Sequence, residues 1–405
     1  MASVTRSLHI DPASLLEREQ RVAILLNSKL LAHCNIMRGI SRYLEAHHLR
    51  WEVVLSSELH YGAGEDLTLW FDGIIADYNH ERTRQILSDV TIPVVGLISG
   101  TNNIELNPHQ TLISLDNESI ISMACEFLIA KGLDNIAMYE LQEDEPGTWQ
   151  QSRRHAYRKF QQDRGQKINL FQGKHATFST WMEELTNLGH WLSGLSKPCG
   201  VIVSSDARAR FLLNACQAQK ITVPDELSIV SVGDITPHEL FFNTVLSVVS
   251  PNHEGIGELA AKQLALAMSG HQVPNVVKAP TGDIVEGNST DFRKTVEPAV
   301  IQALHFIRDN FSRNIKVVDV LNEVGLSRTN LETKFKQEIG HSIRAEIHQQ
   351  RINQVCKLLK DEALSIEKIA DLVGYTSHHQ LHAIFKKEMG QTPATYRANK
   401  QVVSF

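Results

Sequence analysis

Cysteine is scarce in this chain. Cys34, Cys125, Cys199, Cys216 and Cys356 are the only five in 405 residues, and no two form a C-x-x-C pair, which speaks against a disulfide framework or a cysteine-built zinc site. Long apolar runs are missing as well. Nothing approaches the ~18 to 20 apolar residues of a membrane span, and the opening MASVTRSLHIDPASLLEREQ has no signal-peptide core and carries Asp11, Glu17 and Glu19. The expectation is a cytoplasmic protein with no membrane association. Catalytic signatures are absent too: there is no G-x-G-x-x-G, Walker loop, G-x-S-x-G or metal-ligand cluster. An enzyme, a cofactor and a bound metal are therefore not expected. Positive charge is also in short supply, and a net charge of -6 taken alone argues against nucleic acid.

Divided by region, the charge changes meaning. Residues 298–405 hold 15 Lys and Arg against 11 Asp and Glu, a net of +4, whereas residues 1–297 hold 25 against 35, a net of -10. A mildly basic module follows an acidic one that has other work. The length suggests roughly two to three domains, and 42% hydrophobic with 21% charged residues is a globular composition.

After a polar leader over residues 1–20, strand-like and helix-like segments alternate. RVAILL (21–26), WEVVLS (51–56), FDGIIAD (71–77), IPVVGLI (92–98), NIAMYE (135–140), GVIVSSD (200–206) and LSIVSVGD (227–234) read as strands, with helices between them. Near-continuous β-branched runs separated by helices predict parallel strands buried on both faces. There is material for two α/β lobes with a cleft between them, and ligands of such sheets sit beyond the carboxyl ends of the strands. Polar residues gather at those ends: Asn27, Ser28, Asp77, Ser99, Ser204 to Asp206, and Asp234.

The order of these elements, with SLDN at 114–117, Arg153 near a helix start, SSDARAR at 204–210, LSIVSVGD and the junction STDFRKTVEPAVIQA at 289–303, resembles the periplasmic-binding-protein-like effector domains of LacI-type regulators. Within that class the chain is similar to the xylose operon regulators, which join such a domain to AraC-type DNA-binding helices. The resemblance spans about residues 21–397. It implies a small sugar such as xylose in the cleft, and a homodimer. Carboxylates and amides suit adjacent hydroxyls, arginine offers a planar fork, and an aromatic face covers a sugar's apolar side. Asn27, Asp77, Arg153, Asp206 and Asp234 are the polar candidates; Trp149 and Trp70 are candidate stacking faces, and Phe71 suits the core better. Asp206 could instead only cap the following helix. Two departures count against xylose itself. Gly233 stands where the family places its sugar-binding Asp, with Asp234 one residue later, and the loop SKLLAHCN carries no acid. His33 is the one ionisable substitute there, and a lone His is more often structural.

Residues 274–298 lose the α/β rhythm and are rich in Pro, Gly, Ser and Thr. The expected organisation is an effector domain over 21–282, a linker over 283–298 and an all-α domain over 299–405. In that last part, SIEKIADLVGYTSHHQLHAIFKKEMGQTPATYR (365–397) reads as two helices joined by a tight turn at Gly374, a helix-turn-helix. VVDVLNEVGLSRTNLETKFKQEIG (317–340) repeats it: Gly325 matches Gly374, Leu331 matches Leu381, Phe335 matches Phe385, Lys336 matches Lys386 and Gly340 matches Gly390. The second copy has one extra residue in its turn. A helix over 342–360 is predicted between the copies, about 28 Å long. That approaches the ~34 Å of one DNA turn, so that both reading helices could enter successive major grooves.

This layout resembles the AraC family through Ile369, Ala370, Gly374, Phe385, Lys386, Lys387, Gly390, Thr392, Pro393, Tyr396 and Arg397. Expected base-reading positions are Arg328, Thr329, Asn330 and Thr333 in the first copy and Ser377, His378, His379, Gln380 and His382 in the second, since Arg suits guanine and Asn or Gln adenine. Lys334, Lys386, Lys387, Arg397 and Lys400 are expected on phosphate. The function that follows is a sequence-specific, sugar-responsive regulator of transcription, an activator with RNA polymerase as a further partner. The alternative is an AraC-type regulator that answers a different small ligand or a protein partner.

Overall fold

The computed structural model describes residues 19–55, 67–100, 104–142, 148–234, 244–292, 297–359 and 364–401. Nearly all of the expected leader lies outside them. The chain divides into two compact units, 1–292 and 293–405.

The first unit begins with β1 (Gln20–Leu25), α1 (Leu31–Ala46), β2 (Trp51–Leu55), β3 (Gly73–Asp77), α2 (Glu81–Leu87), β4 (Val94–Ile98) and β5 (Gln110–Ser114). Then come α3 (Asn117–Ala130), β6 (Asn135–Leu141), α4 (Trp149–Asp163), β7 (Asn169–Gly173), α5 (Trp181–Ser193), β8 (Cys199–Val203), α6 (Asp206–Ala218) and β9 (Leu227–Val232). The unit closes with β10 (Ser247–Val249), α7 (His253–Met268), β11 (Val276–Lys278) and β12 (Ile284–Val285). Every residue of β3, β4, β8 and β9 is buried, as parallel strands covered by helices on both faces must be.

Two six-stranded sheets result, ordered β11-β5-β4-β3-β1-β2 and β12-β10-β9-β8-β6-β7. The second repeats the connectivity of the first. All pairings are parallel except that of β12 with β10. The two-lobed α/β architecture expected from the strand pattern is what forms.

The chain passes between the lobes three times, after β5, after β10 and between β11 and β12. The crossings are laced together: the Ala279 N–H donates to the Ser114 carbonyl at 2.8 Å, and the Gly282 N–H to the Ser250 carbonyl at 3.1 Å. Helix α3 packs into the second lobe and α7 into the first, against α1. The stretch read as a linker starts inside this unit. β12 pairs with β10, and Ser289 Oγ donates to the Ile229 carbonyl at 2.6 Å, so residues up to 292 belong to the second lobe.

The second unit contains α8 (Pro298–Asn310), α9 (Val317–Val324), α10 (Arg328–Ile339), α11 (Ile343–Leu358), α12 (Ile366–Leu372), α13 (His378–Met389) and α14 (Pro393–Gln401). Gly325 and Gly374 end α9 and α12 with φ of 71° and 78°, a conformation that favours glycine. Two cores form. Val300, Leu304, Val320, Leu331 and Phe335 make one, and Ile369, Ala370, Leu381 and Phe385 the other. Helix α11 serves both, giving Ile343 and Ile347 to the first core and Ile352 and Val355 to the second, with Leu359 just past its end joining them. It is shorter than its expected span, 16 residues or about 24 Å.

Candidate ligand site and nucleic-acid interface

Where the first lobe's strands end, a cavity of about 60 Å³ is lined by His33, Asp77, Asn79, Ser99 and His253 among apolar neighbours that include Ile98 and Leu115. Beyond Ile98 and Leu115, which line both, lies a wider cleft of about 1000 Å³. Asp77 closes β3 and is 7% exposed. Its Oδ1 accepts from the backbone and side-chain amides of Asn79 at 3.0 and 2.6 Å, which leaves Oδ2 toward His33 Nε2 at 3.7 Å and His80 Nε2 at 3.5 Å.

Arg153 is buried in the second lobe. Its Nε donates to Asn117 Oδ1 at 3.0 Å and its Nη1 to the Ser204 carbonyl at 2.6 Å, while the guanidinium lies 4.4 Å from the centre of the Trp149 ring. Burial lowers its pKa to about 9, still well above neutrality, so it stays a cation. Asn117 passes the connection on, donating from Nδ2 to the Ser99 carbonyl at 2.6 Å. A second polar bridge joins the lobes where Asp234 Oδ2, after β9, meets His253 Nδ1 at the start of α7, 2.8 Å away.

The expected ligand residues thus divide. Asp77, Arg153 with Trp149, and Asp234 are brought to the facing ends of the strands. Asn27 is not aimed there: its side-chain oxygen accepts from the Lys29 N–H at 3.0 Å, because the residue makes a local turn ahead of α1. Asp206 opens α6, and its side chain lies outside the described residues. Phe71 is core, and Trp70 is 53% exposed. Sequence reasoning passed over Asn79 and His253, and it noted Ser99 only as a polar strand end and Asn117 only within the SLDN motif, without making either a ligand candidate.

In the second unit the two reading helices match in burial residue by residue from Leu331 to Gly340 and from Leu381 to Gly390. Arg328, Thr329, Asn330 and Thr333 are exposed, as are Ser377, His379, Lys386 and Lys387; His378, Gln380 and His382 are half-buried. Ser377 caps α13, accepting from the Gln380 N–H at 3.3 Å. Gln380 folds back, and its Oε1 accepts from Thr376 N and Oγ1 at 3.1 and 2.8 Å, so a bidentate grip on adenine requires that oxygen to be released.

Two expected phosphate contacts need correction. Lys334 Nζ sits 2.9 Å from Glu297 Oε1. Arg397 is turned inward, its Nε donating to the Leu359 carbonyl at 3.2 Å and its Nη2 to the Leu364 carbonyl at 2.8 Å, because those carbonyls end α11 and lead into α12 without helical partners. The Lys400 side chain lies outside the described residues.

Comparison with known proteins agrees with both units. Residues 21–118 match the XylR N-terminal domain family, 125–290 a periplasmic binding protein-like domain and 320–399 a helix-turn-helix domain. The chain is 33% identical over 384 residues to the xylose operon regulatory protein of Haemophilus influenzae, covering 95% of this chain and 99% of that protein. With the Escherichia coli K12 protein of the same description identity is 31% over 388 residues, again covering 95% and 99%. Among solved structures, one described as the xylose-binding transcription activator xylR superposes with a TM-score of 0.78 at 31% identity, covering 94% of this chain and 98% of that one. Transcription regulator CcpA of Lactococcus lactis, at 19% identity and a TM-score of 0.51 over 67% of this chain and 99% of its own, shares the fold of the first unit. The chain therefore belongs to the xylose operon regulator family, DNA-binding transcription regulators in which a periplasmic-binding-protein-like unit precedes an AraC-type tandem helix-turn-helix unit.

Proposed function

We propose that the first unit binds a small sugar such as xylose between its lobes and that the bound sugar alters how the second unit occupies its operator. The observation that carries this reading is the cavity that Asp77 shares with His253 at the first lobe's strand ends, with Asp234 on His253 and Arg153 over Trp149 joined to the same end through Asn117 and the Ser99 carbonyl. A buried carboxylate, a planar guanidinium and an aromatic face form the recognition set of a polyol. Two bridges between lobes supply what a switch requires, namely contacts whose strength differs between the lobes' arrangements.

Arg328, Thr329, Asn330 and Thr333, with Ser377, His378, His379, Gln380 and His382, read bases in this account, and Lys386 and Lys387 neutralise phosphate. The protein works in the cytoplasm as a homodimer, activates transcription through RNA polymerase and performs no catalysis. Among the described residues no helix is long and apolar enough to cross a membrane. His33 in the first turn of α1, and Gly233 ahead of Asp234, favour a sugar other than xylose within the same class.

Isothermal titration of the full chain with D-xylose, D-ribose, D-lyxose and L-arabinose tests the sugar half. Saturable binding of at least one is expected, and no heat with any of the four overturns it.

A further inference from the structure

His33 lies in the first turn of α1, 9% exposed, on the wall of the inner cavity. Its Nδ1 receives the backbone N–H of Asn27 at 2.9 Å. A ring nitrogen that accepts carries no hydrogen, so the neutral imidazole holds its proton on Nε2. That N–H faces Asp77 Oδ2 across 3.7 Å, too far for a hydrogen bond. Asp77 Oδ1 is already taken by Asn79. A donor and a carboxylate oxygen thus confront each other across a gap that neither closes.

Resting on the sugar reading above, we propose that His33 and Asp77 jointly read one hydroxyl of the ligand, which accepts from His33 Nε2–H and donates to Asp77 Oδ2. An oxygen to one side of the line between them, on the cavity side, can stand about 2.8 Å from each atom. Among sugar substituents a hydroxyl is both donor and acceptor on one atom. A carboxylate or phosphate at that place has no hydrogen for Asp77 and is repelled by it, and a deoxy position leaves both partners unmet. The site therefore selects neutral sugars, and among them the epimer that points a hydroxyl into the cavity.

The arrangement needs His33 neutral. Burial is the largest influence and lowers its pKa; Asp77 opposes, while His253 from α7 and the exposed His80 after β3 add to the lowering. His253 is in turn held by Asp234. Protonation would also set an N–H at Nδ1 against the Asn27 N–H and break the bond that orients the ring.

The test is a double-mutant cycle on the full chain, read by isothermal titration against the same four pentoses. His33→Asn keeps an acceptor near Nδ1 for Asn27 but cannot reach the ligand, and Asp77→Asn keeps a carbonyl for Asn79. Each single variant should lose about tenfold in affinity for the best sugar and narrow the gap between that sugar and its epimers. Because both side chains serve one hydroxyl, the double variant should lose little more than either single one. Melting temperatures identify a variant that has failed to fold, in which case the other single variant decides. Unchanged affinity and epimer ranking in a folded His33→Asn, or fully additive losses, overturn this assignment alone. Absence of binding to any pentose by the unaltered protein overturns the sugar reading and this assignment together.

Discussion

Gly39 and Gly257 let α1 and α7 touch backbone to backbone. A Cβ on Gly257 would stand 2.0 Å from the Ile36 carbonyl oxygen, and one on Gly39 1.9 Å from that of Glu254. Main chain cannot turn aside as a side chain can. Gly257→Ala should therefore cost about 2–3 kcal/mol in urea denaturation of the full chain, and a loss below 0.5 kcal/mol would mean the crossing yields. Since His33 starts α1 and His253 starts α7, the same contact sets the spacing of both imidazoles. Glu140, wholly buried near the end of β6, makes a different demand. Burial pushes its carboxyl up to about 7 against the pull of Arg154, and Oε2 has no partner. Between the ordinary 4.5 and about 7 the folded protein keeps a proton that the unfolded chain releases. The group's contribution is thus full below 4.5 and lost as pH rises through 7. His33, with its lowered pKa, acts oppositely: its contribution is full above 6.5 and is lost as pH falls from there through its lowered folded value. Glu140→Gln isolates the first effect: from pH 5 to pH 8 the wild type should lose stability relative to this variant, and a constant difference would contradict the assignment.

The reading helices are placed by the elements around them. Arg351 on α11 donates from Nε to the Phe311 carbonyl at 2.9 Å and from Nη2 to those of Arg313 and Ile315 at 3.2 and 3.3 Å, just ahead of α9. Arg397 on α14 does the same ahead of α12, so each helix-turn-helix is stapled by an arginine from the helix that follows it. Tyr375, in the longer second turn, is 4% exposed, with the Arg351 guanidinium 5.4 Å from its ring centre and His348 stacked at 6.2 Å. Tyr375 ties the second turn to α11 and, through Arg351, to the first motif. Arg397→Lys should therefore lower the melting temperature, because an ammonium cannot fork to two carbonyls, and leave the salt slope of DNA binding unchanged. A slope smaller by about one with unchanged melting would restore Arg397 to the phosphate backbone. The repeat was legible because glycine and apolar residues recur in register. The inward turn of Arg397 was not, since solvent and carbonyl ends attract an arginine equally in a sequence. Strands β5, β7, β10, β11 and β12 escaped as well, being short or polar.

At the scale of the molecule, the acidic part carries -10 and the basic part +4, which fits a division between ligand sensing and DNA contact. The two-lobed fold was legible because its buried parallel strands are continuous apolar runs. The site was only partly so. Asp77, Ser99 and Asp234 end or follow predicted strands and Arg153 lies near a predicted helix start, whereas Asn79 and His253 join them only in the folded chain. The bridges Asp234–His253 and Arg153–Asn117–Ser99 span the lobes that the sugar would press together. Linkage then makes the two functions reciprocal: whatever factor the sugar applies to operator affinity, the operator applies to sugar affinity. The decisive measurement is anisotropy of the full chain on DNA enriched by the protein from a random pool, titrated with and without the best-bound pentose at fixed salt. An operator affinity changed by about fivefold or more, matched by the same factor in sugar affinity with and without DNA, is the expected result. Equal operator affinities with the sugar site empty and saturated would contradict the account.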